Sequence, residues 1–484
     1  MNPAFDLAAV GALVVVTAVL GFSGVRSSRT RSDFFVASRS VGSVWNASAI
    51  SGEYLSAGTF LGLAGLVLLS GAEGFWFPVG YAAGYLLVLL FVAAPLRRSG
   101  AYTIPDFTEA RLESRAVRRV TSVVVLVIGW LYIVPQLHGA ALALGVVAPG
   151  PPWAGGVIVA VLVAGIVAAG GMRAITAVQA FQYWLKLTAL LVPAVFLVVA
   201  LSGGGIDVDP SRVFPAASGP GAIDAYGTAS LMLALLLGTI GLPHVLVRFY
   251  TSPNGASARR TTVVVIVLIG VFYAVSSTMA LLARVIAPDL ASPGVADTVV
   301  LALPSRMFPG IFGEVLTALL VAGAFAAFLA TSSGIVVSLA GVVSQDVLGG
   351  GVRAFRIAAV LCTAVPLAVA LLTEPAGLVS SVGVVFVFAA STLSPVLLLG
   401  VWWRRLTARG AVVGMVVGAV SCGGALVIGG AVGGAGGWAV VLAQPAAWTI
   451  PLTTAVIVVV SLLDRRGAPV RVERYLARLH IPDA

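Results

Sequence analysis

Between residues 6 and 463 the chain returns thirteen times to an apolar stretch long enough to cross a bilayer, and this recurrence limits the fold more than any motif. A span needs ~20 mostly apolar residues, and in lipid its backbone amides and carbonyls must be satisfied within the segment, so each stretch reads as a helix. The stretches lie near 6–24, 44–70, 75–96, 120–147, 153–171, 178–201, 228–250, 262–285, 311–344, 355–373, 377–403, 409–430 and 446–463. With 60% hydrophobic and 10% charged residues, a 484-residue soluble domain is excluded, and an all-α polytopic membrane protein is expected. The first stretch has no basic leader and no small-residue cleavage site, so it is expected to remain as a span.

The net charge of +10 raises the possibility of nucleic acid, but the positions of the charges argue for a membrane. If residue 1 lies outside, 24 of the 27 arginines fall in inner loops and the tail, and only Arg212, Arg284 and Arg306 fall outside. That is the positive-inside rule, which predicts a multi-pass protein of the plasma (inner) membrane with its N-terminus outside and its C-terminus cytoplasmic. Membrane lipid is then the expected partner, with no nucleic acid. The basic tail from Asp464 either lies along the lipid through Val472, Tyr475, Leu476 and Leu479 or is solvated. The inner segment around Pro105 and Asp106 is expected to start a short helix. Cys362 and Cys422 sit in separate apolar runs and form no disulfide framework or metal spacing.

Two spans break the apolar rule in their middles. The second carries SGEYLSAGT, with Glu53 among glycines and hydroxyls. An ionisable group there is costly and marks a functional candidate, while Gly58 and Gly62 also suit a close helix contact. The seventh carries Gly238, Gly241 and Pro243, where proline removes a backbone donor and opens the turn. Two interrupted spans in corresponding positions of two halves point to a transporter site. Spans two to six and seven to eleven number five each, and because five is odd any pseudo-symmetry between them is inverted. Freed carbonyls at such breaks can ligate a hard cation, and half-helix N-termini offer amides to an anion. In span nine, Ala327, Ala330, Thr331, Gly334 and Ser338 share one small, partly polar face. The Thr331 hydroxyl either bonds its own helix or faces a cation at the span-two break.

Four segments, TIPDFTEARL, GGMRAITAVQAFQ, GLPHVLVRFY and VVSQDVL, occur in the order seen in a known family, and the chain resembles the sodium:solute symporters. The run GEYLSAGTFLGLAG together with GLPHVLVRFYTSP is most similar to their acetate and short-chain monocarboxylate permease branch. The resemblance implies a LeuT-type five-plus-five inverted repeat: an extra helix and loop over 1–43, a first repeat over 44–201, an outer loop and second repeat over 202–403, and two extra helices with a basic tail over 404–484. It implies import of a small solute driven by a cation gradient, with Na+ as the coupling ion, H+ as the other candidate, and no further cofactor. Carried across, the cation site uses the carbonyls of Gly52, Leu55 and Ala327 and the hydroxyl of Thr331. Ala330 stands where sodium-dependent members often have a second hydroxyl, which leaves room for H+ with Glu53 as the coupling group.

For the substrate, the half-helix from Ser56, Ala57, Gly58 and Thr59 is expected to face Thr239, Gly241 and His244, whose amides and hydroxyls suit a small carboxylate. His244 reads equally as a packing residue. Arg248 is expected to anchor at the inner surface and Lys186 to snorkel inward, so no free arginine is placed at mid-depth. Trp130, Tyr132, Gln136 and His138 either wall the cavity or bond neighbouring helices.

Three histidines without paired metal spacing, and no HExxH, argue against an intramembrane enzyme. No filter signature suggests a channel. A sodium-coupled amino-acid or other organic-solute symporter is the alternative within the class, and a membrane receptor on a symporter fold the alternative outside it.

Overall fold

The computed structural model describes residues 3–23, 37, 41–148, 150–203, 222–375, 377–432, 437–465 and 467–481, and the regular structure among them is entirely helical. Each helix follows from an apolar or small-residue run bounded by glycine, proline or a capping side chain. The first is α1 (Pro3–Ser23). A buried helix, α2 (Ser43–Tyr54), ends at Leu55, and after a π-helical turn (Gly58–Gly62) the span resumes as α3 (Leu63–Ser70). Next come α4 (Trp76–Phe91), α5 (Ala93–Ser99), α6 (Ile104–Leu112), α7 (Arg115–Val147) and α8 (Ala154–Ser202). The expected short helix is α6, opened by a capping box between Thr103 and Asp106 with Pro105 in its first turn.

The second broken span is α9 (Ala222–Gly241) followed by α10 (Pro243–Val247), bent by 41°. Beyond it lie α11 (Gly255–Ile286), α12 (Val299–Met307), α13 (Ile311–Asp346), α14 (Val352–Leu372) and α15 (Leu378–Trp402). The chain closes with α16 (Ala408–Val432), α17 (Gly437–Ala443), α18 (Ala446–Leu463) and α19 (Val472–His480).

Ten helices among the described residues are long and apolar enough to cross a membrane, or eleven with the bent pair, when each run unbroken by a loop is counted once. The stretches at 153–171 and 178–201 follow one another in α8 without a loop, but the helical path is interrupted at Gly171, whose φ of 58° and ψ of −159° are not helical and suit glycine best, so α8 is two helices joined at a kink. Gly58–Phe91 likewise counts once, as a 34-residue apolar run, while the polar α2 stays outside the count. Residues 204–221 of the long loop and 433–436 of the glycine run lie outside the described residues.

At the centre stands α13, with 89% of its apolar window buried against 28% for α1. It packs on α7, α8 and α1, and α8 in turn carries α2. On the other side α9 lies between α15 and α4. The tail differs from both expectations: α19 turns Leu476 and Leu479 into the protein instead of toward lipid or solvent. Its last turn is held by hydrogen bonds from Arg98 to the Leu479 carbonyl (3.2 Å) and between His480 Nε2 and the Val401 carbonyl (3.0 Å).

Candidate functional site

Both interrupted spans are broken, and at each break one leucine takes extended backbone. Leu55 has φ −78° and ψ 90°, Leu242 has φ −79° and ψ 114°. The second break follows from local covalent chemistry, because Pro243 disfavours helical geometry at the residue before it and brings no amide hydrogen. The first has no proline. It is held open by partners from elsewhere in the chain.

A helix end leaves its last carbonyls without intrahelical partners and carries partial negative charge. At the end of α2 the Ser51 carbonyl takes the Leu55 amide (3.1 Å). The Gly52 and Leu55 carbonyls accept from the ammonium of Lys186 on α8, at 2.5 and 2.8 Å. The Glu53 carbonyl accepts from the hydroxyl of Thr331 on α13 at 2.7 Å. Past the break, the Ala57 amide donates to Gln136 Oε1 of α7 at 2.9 Å. Three neighbouring helices thus keep α2 from continuing into the turn that begins at Gly58.

Below these carbonyls lies a buried ion pair. Arg248 Nε donates to Glu53 Oε2 at 2.8 Å, with both side chains at most 2% exposed. The guanidinium also donates to Thr176 Oγ1 (2.8 Å) and to Gln179 Oε1, and the Gln179 amide nitrogen donates to the Ala330 carbonyl (2.7 Å). Glu53 fits only because Gly334 faces it: a Cβ there would stand 2.0 Å from the Glu53 carboxyl carbon. Likewise a Cβ on Gly52 would stand 2.3 Å from the Gln179 carbonyl oxygen, so glycine permits the close approach of α2 to α8.

Between the breaks lies a ring of aromatic groups. Tyr54 OH bonds Thr239 Oγ1 and the Tyr81 carbonyl, each at 3.0 Å, and Tyr81 OH bonds Tyr132 OH at 2.9 Å. Phe386 stacks on Tyr81 (4.5 Å) and Tyr273 OH reaches Thr59 Oγ1 (3.5 Å). His244 sits edge-on to Tyr132 at 5.1 Å, and neither of its ring nitrogens has a hydrogen-bond partner among the described residues. Ser56, Ala57, Thr59, Thr239 and His244 are all buried, so this region is closed to solvent.

Thr239 and His244 are tied to the first broken span through Tyr54 and Tyr132, whereas Gly58 faces Leu378 and Val382 and Gly241 faces Ala389 and Ser394 of α15. Gly52, Glu53, Leu55 and Thr331 meet at the first break, with Ala327 and Ala330 buried on the facing helix. Two side chains lie elsewhere than expected. Arg248 is no surface anchor and Lys186 does not snorkel: both are buried, because each finds oxygen acceptors that a surface would otherwise supply. In the polar-aromatic cluster, Gln136 and Tyr132 reach the site, whereas His138 bonds the Ala370 carbonyl (3.0 Å) away from it. A signal for the missed residues stands in the sequence: Thr176, Gln179, Tyr183 and Lys186 recur at helical spacing as a polar stripe on an apolar helix.

Two membrane spans broken at mid-length, with their loose ends gathered round one closed polar and aromatic region, define an integral membrane transporter. The comparisons place it more narrowly. The sodium:solute symporter family profile matches residues 34–418. A monocarboxylic acid transporter of Corynebacterium glutamicum is 30% identical over 461 residues, covering 87% of this chain and 83% of that one. An uncharacterized symporter of Bacillus subtilis is 31% identical over 431 residues, covering 85% and 83%. The solved structure of a Na+-coupled sialic acid symporter, substrate-bound and outward-open, superposes with a TM-score of 0.75 at 14% identity, over 96% of this chain and 98% of that one. The chain belongs to the sodium:solute symporter family, whose members are transporters and not enzymes, and it shares the LeuT-like fold of the sialic acid symporter.

Proposed function

We propose that the protein imports a small monocarboxylate of the size of acetate, in symport with a cation, by alternating access of a site between the two breaks. The observation that carries this reading is the relative named a monocarboxylic acid transporter, matched across both halves of the chain. The site's chemistry supports it. A small carboxylate needs a few donors and an apolar wall: the hydroxyls of Ser56 and Thr59 and the unpartnered imidazole of His244 supply the first, and Tyr54, Tyr81, Tyr132 and Phe386 the second, with Thr239, whose own proton goes to the Leu235 carbonyl, holding Tyr54 OH. Ala57 and Gly58 start the half-helix that presents them, and Gly241 lets the end of α9 pack closely on α15, where a Cβ would stand 2.6 Å from the Ala389 carbonyl oxygen. In this reading Glu53 is the coupling carboxylate, tying the first broken span to the second through Arg248.

In this reading the chain has its N-terminus outside and its C-terminus in the cytoplasm, which the arginine distribution supports. In the same reading its first repeat spans 44–201, and an outer loop with the second repeat spans 202–403. The test is uptake of labelled acetate, propionate and pyruvate into proteoliposomes under separately imposed Na+ and H+ gradients. Concentrative uptake of one of them, resistant to competition by proline, supports the reading; competition by an amino acid with no monocarboxylate taken up overturns it.

A further inference from the structure

A sodium ion bound at a helix break draws its ligands from freed backbone carbonyls and nearby hydroxyls. In this chain two of the carbonyls that the first break frees already have a cationic partner. The ammonium of Lys186 lies 2.5 Å from the Gly52 carbonyl and 2.8 Å from that of Leu55, so it stands where the two carbonyls converge. The Thr331 hydroxyl donates its proton to the Glu53 carbonyl at 2.7 Å, which fixes it at the end of α2 while its oxygen lone pairs stay unused by that bond. Charge points the same way, since Arg248 and Lys186 already set two cationic groups beside the single carboxylate of Glu53. A mobile cation at these carbonyls would meet a fixed one at contact distance in a region without water to screen it.

We infer that the Lys186 ammonium is the built-in cation of this site, standing in place of a sodium ion, and that the protein transports its substrate without Na+. The inference rests on the symporter reading above and narrows it, leaving the gradient of a cation that needs no oxygen cage to drive uptake. Lys186 is the chain's one lysine, fully buried on α8. An ammonium against the carbonyl end of a half-helix is also favoured by the helix dipole. Tethered there, it holds the α2 end and α8 together throughout the cycle, where a free ion would come and go.

Two measurements on the full-length protein test this. The first is 22Na+ binding to purified wild-type protein in nanodiscs, which needs no knowledge of the substrate: no saturable binding is expected, and saturable binding overturns the inference. The second is initial acetate uptake into proteoliposomes in NaCl against choline chloride at fixed pH gradient and membrane potential. The two rates should agree within twofold, and a larger stimulation by Na+ overturns the inference. If acetate and its analogues are not transported at all, the functional proposal falls while the binding measurement still decides this one. In Lys186→Ala the carbonyls are released, and a folded variant should gain saturable 22Na+ binding; a folded variant with none would show that these oxygens never formed a cation site.

Discussion

Glu53 and Arg248 form an ion pair of 2.8 Å across the two broken spans, with both side chains at most 2% exposed. Removing one member of such a pair strands the other charge in a medium that cannot solvate it, at a cost of about 3–5 kcal/mol. Arg248→Gln should therefore lower the thermal stability of the detergent-solubilised protein sharply and abolish concentrative uptake. Glu53→Gln keeps a hydrogen-bond acceptor for the guanidinium, so it should remain in the membrane yet lose at least tenfold in accumulation. Normal accumulation by Glu53→Gln would remove this carboxylate from coupling.

What the sequence made legible was decided by how far apart the partners lie. The break at Leu242 is written locally in Pro243. At Leu55 only the small residues and Glu53 hint at a break, because the groups that hold it open lie 79 residues away in Gln136, 134 in Lys186 and 278 in Thr331. The same distance hid Arg248. One turn past the proline, an arginine reads as a surface anchor until the carboxylate opposite it, 195 residues earlier, is brought into contact. The junction at Gly171 was not legible either, because the two apolar stretches of α8 meet there through non-helical backbone with no loop between them.

Gly334 offers a steric test of the same pair. An added methyl would stand 2.0 Å from the Glu53 carboxyl carbon, and neither a helix backbone nor a salt-bridged side chain yields that far without losing contacts. Gly334→Ala should reduce transport as severely as Glu53→Gln and destabilise the fold by about 1–3 kcal/mol or more, the usual cost of overpacking. Thermal unfolding and uptake measured together would check it, and a silent substitution would mean that Glu53 is not held against α13 during the cycle.

Thr331 donates a 2.7 Å hydrogen bond to the carbonyl of Glu53 at the open end of α2. Valine has nearly the same shape and lacks the hydroxyl, so Thr331→Val leaves a buried carbonyl unsatisfied, at about 1–3 kcal/mol. Reduced melting temperature and slower uptake, with the response to Na+ unchanged, are the expected results. A rise in the Na+ concentration needed for half-maximal uptake would instead make Thr331 an ion ligand.

His244 separates a structural from a binding role, because no hydrogen bond among the described residues depends on it. Its imidazole is buried, both ring nitrogens lack partners among the described residues, and its packing against Tyr132 is through the ring edge at 5.1 Å. Replacing a histidine that held the fold by hydrogen bonds would expose their loss as instability. Here His244→Phe keeps the aromatic contact and removes only donors and acceptors that the protein itself does not use, so melting should shift little. If the imidazole N–H serves the substrate carboxylate, a hydrogen bond to a charged group worth about 1.5–3 kcal/mol is lost, which raises the KM for acetate roughly tenfold to a hundredfold. An unchanged KM would assign the ring to packing and move the carboxylate site toward Ser56 and Thr59 alone.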